Sequence, residues 1–243
     1  MQKLSQYILK RLRITELLNR QSEINKKQAE VLKGLVFNNT ISDSEWLQYK
    51  GFSPGAWAAD YGLLYTLYRV LNGMKPQSII EFGLGQSSKM IHQYANYYQV
   101  SAITCEHDNE WVKFFLNECG KNYPLNIKLI ELKELVYKGY KTLSYKNINR
   151  EFEKDKFDLI LVDGPFGSEH FSRPQIIDFA KNNLKPEFCI ILDDCEREGE
   201  RETVNEVIRV LGDCNIDYAF TTYCSSKKHT LICSKNLKFL TSL

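Results

Sequence analysis

Glu81, Glu106, Asp163 and the pair Asp193-Asp194 each stand directly after a short apolar run. The runs are Ile79-Ile80, Ala102-Ile-Thr-Cys105, Phe157-Asp-Leu-Ile-Leu-Val162 and Phe188-Cys-Ile-Ile-Leu192. Apolar runs of this length read as buried strands, and carboxylates at their ends lie where open α/β sheets bind ligands. Glu81 opens Glu-Phe-Gly-Leu-Gly-Gln-Ser-Ser88, in which Gly83 and Gly85 allow a sharp turn with backbone open to a ligand. Gln86, Ser87 and Ser88 then begin a helix whose first amides face that ligand. Ser88 stands where the dinucleotide fingerprint has its third glycine. Glu106, at the tip of the next strand, is placed to accept hydrogen bonds from the two ribose hydroxyls of a nucleoside. His107 beside it flanks the base or is exposed.

This order of motifs resembles the class I S-adenosylmethionine-dependent methyltransferases, through Glu81–Ser88, Glu106 and Val162-Asp-Gly-Pro165, over about residues 54–235. The resemblance implies an α/β fold with a Rossmann-like seven-stranded sheet and S-adenosyl-L-methionine as cofactor. It places the cofactor against Glu81, Gly83, Gly85, Gln86, Ser87, Ser88, Glu106, His107 and Asp163. Leu192-Asp-Asp194 is further similar to the metal-dependent O-methyltransferases of the catechol and macrocin types. That similarity implies Mg²⁺ or Mn²⁺ held by Asp163, Asp193 and Asp194, a hard-oxygen donor set. Aspartates at strand ends also cap helices, so this alternative stays open.

Methyl transfer from a sulfonium needs alignment of the acceptor, and a hydroxyl acceptor must also lose its proton. Gly164–Arg173 forms a loop beyond Asp163, and His170 within it is the natural general base, acting with Asp163. Arg173 and Arg197 are candidates to hold an anionic part of the acceptor. The expected activity is O-methylation of a small molecule or an activated sugar, the acceptor class resting on the resemblance. The alternatives are a non-catalytic nucleoside-binding module and a nicotinamide-dependent oxidoreductase. The missing third glycine and the lack of a Tyr-x-x-x-Lys pair in the right region count against the second.

The elements that position these residues follow from pattern. The 243 residues carry a net charge of +2 with 43% hydrophobic and 26% charged residues, which suits one α/β domain with an extension and argues against a nucleic-acid partner. No apolar run has the length of a membrane span, and no secretory signal is visible. Seven scattered cysteines fit a reducing cytoplasm. Residues 1–52 read as a helical extension and 53–243 as the methyltransferase domain.

Within the extension, residues 3–36 form one helix with Leu17, Ile24 and Val31 a heptad apart, interleaved with Ile14, Gln21, Gln28 and Leu35. That stripe packs on its own domain or joins a homodimer. Residues 38–43 break the helix, and Ser42 or Asp43 caps a short one carrying Trp46. Ser53, Trp57 and Tyr61 precede or open a helix over 58–71 and are candidate lid residues. Helices over 111–119, 171–184 and 198–212, a strand over 127–132, a loop with a short helix over 133–154, and a closing hairpin turning at Ser225-Ser226 complete the reading. Five parallel strands plus that hairpin make seven.

Overall fold

The computed structural model describes residues 2–54, 58–119 and 124–243; Trp57, one of the expected lid residues, lies outside them. Helix α1 (Gln2–Ile41) leads to α2 (Tyr61–Met74), and α2 enters the first strand of the sheet. The expected short helix at Trp46 is absent, and α1 runs past the expected break to Ile41. Trp46 is instead buried from an irregular segment, stacked on Tyr68 and edge-on to Tyr94.

Strands β1 (Ser78–Phe82), β2 (Ser101–Glu106) and β3 (Ile127–Leu129) alternate with α3 (Gln86–Tyr98) and α4 (Asn109–Cys119). A separate hairpin, β4 (Leu132–Tyr137) and β5 (Tyr140–Tyr145), and a short α5 (Ile148–Glu151) lead to β6 (Phe157–Val162). After α6 (Gln175–Asn182), β7 (Leu184–Leu192) and α7 (Glu198–Asp213), the hairpin β8 (Tyr218–Cys224) and β9 (Lys228–Ser234) completes the sheet. Its order is β3-β2-β1-β6-β7-β9-β8, with β9 antiparallel to β7.

The period-two alternation of the buried strands divides the core between the sheet's two faces. Ile79, Leu159, Cys189 and Cys233 share one face with α2 and α3, while Ile80, Ile160, Ile190 and Ile232 share the other with α6 and α7. Phe37, Ile41, Trp46 and Leu47 belong to the first of these cores, so part of the expected extension is bound into the domain. Among the described residues, no helix is long and apolar enough to cross a membrane.

Candidate cofactor cleft and aspartate cluster

Strand order reverses between β1 and β6, which opens a crevice at their carboxyl ends. The sheet's hydrogen bonds run one residue past the strands there: Gly83 N–H donates to Cys105 O, Asp163 N–H to Phe82 O and Asp193 N–H to Val162 O. These bonds set Gly83, Asp163 and Asp193 side by side along the edge. Gly83 has φ +101°, and a Cβ on it would come 2.9 Å from Gly164 N. Gly164 is equally constrained, since its Cβ would lie 2.7 Å from Gly83 Cα. The turns after β1 and β6 therefore touch backbone to backbone, whereas a Cβ on Gly85 would meet nothing within 4 Å. The crevice is open at Gly85.

Glu81 anchors this turn from below. Its fully buried carboxylate accepts hydrogen bonds from the hydroxyls of Ser87 (2.5 Å), Ser88 (2.6 Å) and Thr104 (2.7 Å). Burial raises its pKa to about 7 against those three donors. Because Thr104 gives its proton to Glu81, His92 Nε2 must be the donor in its 2.9 Å bond to Thr104, and Nδ1 accepts from Asn126 N–H. Burial lowers the His92 pKa to about 4 and keeps the ring neutral. Ser88 Oγ in turn accepts Gly85 N–H at 2.9 Å. Glu81, Ser87 and Ser88 thus shape the turn from beneath.

Glu106 sits at the tip of β2 with Oε2 accepting Leu84 N–H (2.9 Å) and Oε1 accepting His107 N–H (2.6 Å) and Asp108 N–H (2.9 Å). A carboxylate has about four acceptor sites, so room remains for a ligand hydroxyl. His107 Nδ1 lies 2.7 Å from Glu106 Oε1, and its ring meets Phe166 edge-on at 4.8 Å. Trp111 Nε1 donates to Leu84 O at 2.7 Å and pins the turn from the other side, a role its place on an amphipathic helix gave no sign of. The Gln86 side chain accepts Ser53 N–H at 3.1 Å, which ties the expected lid segment to the start of α3. Tyr61 is no lid residue: its N–H donates to Glu30 on α1 and its ring packs against Gly34 and Phe37.

Asp163, Asp193 and Asp194 do cluster, each offering an oxygen within 4.8 Å of the others. Arg173 does not face an acceptor. It is buried, 2.8 Å from Asp194 and 3.7 Å from Asp163, and its Nε donates to Pro165 O. Arg197 lies 3.2 Å from Asp194 and 3.7 Å from Glu200. Lys227 Nζ, brought in by the β8–β9 turn, lies 3.2 Å from Asp194 and 3.6 Å from Asp193. Asp60, the N-cap of α2, fixes that turn by accepting from the hydroxyls of Ser225 and Ser226 and from Lys227 N–H. Sequence reading passed over Asp60 and Lys227, because only the sheet register brings this turn over the end of β7.

Burial pushes Asp194 up, but Arg173, Lys227 and Arg197 outweigh it and hold its pKa below the ordinary carboxylate value. Burial, helped by the neighbouring aspartates, raises Asp193 well above that value, and neither of its oxygens has a hydrogen-bond partner. Orphan carboxylate oxygens are what a metal site offers, yet an ammonium already stands against them. The residues present fit Lys227 rather than a divalent ion. A metal would need Lys227 to withdraw.

His170 does not reach this cluster. Glu202 on α7 accepts at 3.0 Å from Phe171 N–H and lies 3.0 Å from His170 Nδ1, so the loop is drawn onto α7. There the imidazole packs beside Tyr140 of the β4–β5 hairpin at 4.1 Å.

Comparison with solved structures gives the architecture its name. The SAH-bound methyltransferase PaMTH1 of Podospora anserina matches over 90% of this chain and 96% of its own, with a TM-score of 0.50 at 15% identity. A Staphylococcus aureus protein provisionally named as a caffeoyl-CoA O-methyltransferase matches over 87% of this chain and 99% of its own, with a TM-score of 0.51 at 11% identity. The fold is the class I methyltransferase fold. At such identities the likeness speaks to the fold alone. No family model matches the chain, and no curated protein matches it in sequence. Open α/β sheets in general bind ligands at the carboxyl ends of their strands, and here that edge carries Gly83, Glu106, Asp163 and Asp193.

Proposed function

We propose that the protein is an S-adenosylmethionine-dependent methyltransferase acting on a hydroxyl of a small molecule or an activated sugar. The observation that carries this reading is the Glu106 carboxylate held at the tip of β2, hydrogen-bonded to the Gly83–Gly85 turn through Leu84, beside open space at Gly85. The residues fit the cofactor: Glu106 keeps an acceptor site for a ribose hydroxyl, the glycine turn admits a chain against bare backbone, and His107 with Phe166 would wall the base side. When bound, the sulfonium supplies an activated methyl group, and the protein's share is alignment and proton removal.

In this reading Asp163 would take the acceptor's proton. It is the most open of the three aspartates, its side chain 16% exposed against 0% for Asp193 and 4% for Asp194. Arg173, buried against Asp194, supports the site rather than anchoring an anionic acceptor, whereas Arg197 is 41% exposed beside the same aspartate. Residues 53–243 would form the catalytic unit, with the first part of α1 as an appendage.

Calorimetric titration with S-adenosylmethionine and with NAD tests the reading. Saturable binding of the first and none of the second is expected. Glu106→Ala should weaken the first by roughly 1.5–3 kcal/mol, the scale of hydrogen bonds to a charged group. Binding of NAD alone, or of neither, would overturn the proposal.

A further inference from the structure

Helix α1 has two unlike faces. One is committed to the domain: Glu30 accepts Tyr61 N–H, Gly34 lies against the Tyr61 ring, Lys33 sits over the Tyr65 ring, and Phe37 and Ile41 are buried. The heptad row lies on roughly the opposite side, by the helical rotation of about 100° per residue. That row is bare: Ile14 is 47% exposed, Leu17 57%, Ile24 40%, Val31 63% and Leu35 58%. Leu18 and Leu32 widen it at 65% and 63%. An apolar strip about 30 Å long, at 1.5 Å per residue, gains nothing from its own domain.

Charge decides what covers it. Arg13, Arg20 and Lys27 line one edge of the strip, and the other edge carries Leu18, Asn25 and Leu32. Two copies packed antiparallel would set basic row against basic row. Packed in parallel, each basic row meets the neutral row of its partner, and its aliphatic stems extend cover over Leu18 and Leu32. Gln21 and Gln28 occupy the intervening core positions, where each would meet its own copy across the two-fold axis and fix the register.

We propose that α1 is the interface of a parallel homodimer, in which the Ile14–Leu35 row of one chain packs against the same row of a second copy. The test is sedimentation velocity of the full chain. The wild-type protein should sediment as a dimer, and Ile24→Glu or, separately, Leu17→Glu should halve the mass while thermal unfolding of the domain stays unchanged. Direction is read by oxidising Gln21→Cys in a chain with Cys119, Cys214 and Cys224 replaced by serine. Parallel pairing joins the two copies through this position. A monomeric wild type, or a dimer that survives both glutamate substitutions, would overturn the proposal. A dimer in which Gln21→Cys forms no cross-link would overturn its parallel form.

Discussion

Arg173 and Asp194 form a 2.8 Å ion pair in which both residues hold left-handed backbone, with φ 57° and 61°. For residues other than glycine this conformation costs on the order of 1–3 kcal/mol each and persists only where surroundings enforce it. Here the enforcement is mutual. Asp194→Ala leaves the buried guanidinium without its main partner and should destabilise the protein by about 3–5 kcal/mol. Asp193→Asn, by contrast, neutralises a carboxylate that burial already disfavours and should cost little. Urea denaturation of the two variants checks the asymmetry, and similar losses would contradict it.

Lys227 makes the aspartate cluster self-sufficient in cations. Mn²⁺ titration followed by calorimetry or by electron paramagnetic resonance should find no stoichiometric site in the wild-type chain. Lys227→Ala should expose the oxygens of Asp193 and Asp194 and create one. Wild-type binding that Asp193→Asn abolishes would show that a metal displaces the lysine.

The two glycines of the turn should separate on substitution. Gly83→Ala meets both positive φ and the backbone of Gly164. It should lose stability by roughly 1–3 kcal/mol from the backbone alone. Gly85→Ala meets open space and extended backbone, so its melting temperature should hold while S-adenosylmethionine affinity falls at least tenfold. Calorimetry with thermal unfolding measures both, and unchanged affinity in Gly85→Ala would remove the cofactor from that space.

Glu81 gives a pH signature. Its pKa rises from 4.5 to about 7 on folding, so between these values the native state binds the proton more tightly than the unfolded chain. Its contribution to stability is therefore greatest below pH 4.5 and is lost as the pH climbs towards 7. His92 works the other way: its pKa falls from 6.5 to about 4, so its share of stability grows with pH across that interval. The difference between the wild type and Glu81→Gln isolates the first effect. The variant should gain relative stability with rising pH by on the order of 3 kcal/mol, taking about 1.36 kcal/mol per pKa unit. A flat difference curve would mean that the three hydroxyls stabilise the carboxylate fully.

The carboxylates at the strand ends were legible because buried parallel strands write themselves as short apolar runs and the residue after each run must reach the sheet edge. Their partners were not. Arg173 reaches Asp194 through a loop with positive φ at Phe171 and Arg173, and Lys227 arrives on a turn whose place depends on the pairing of β9 with β7. The β4–β5 hairpin was missed for a related reason. It stands apart from the main sheet and half-exposed, so its alternation is faint, and its turn places Lys138, not the usual Asn or Asp, at positive φ before Gly139. The helical period of α1 was plain, but nothing local told which of its faces the domain takes. His170 reads as a base from its residue type and its place in the loop after Asp163, but Glu202 on α7, remote in sequence, holds it elsewhere.

The grip of Asp60 on the β8–β9 turn spans 165 residues of sequence. Contacts so remote are costly to close in entropy and slow to form. Until this one closes, Asp193 and Asp194 lack Lys227, and their mutual repulsion opposes the last step of assembly. Refolding should accordingly show the sheet's secondary structure maturing ahead of the ligand-binding edge, and the Asp60 clasp converts the one into the other.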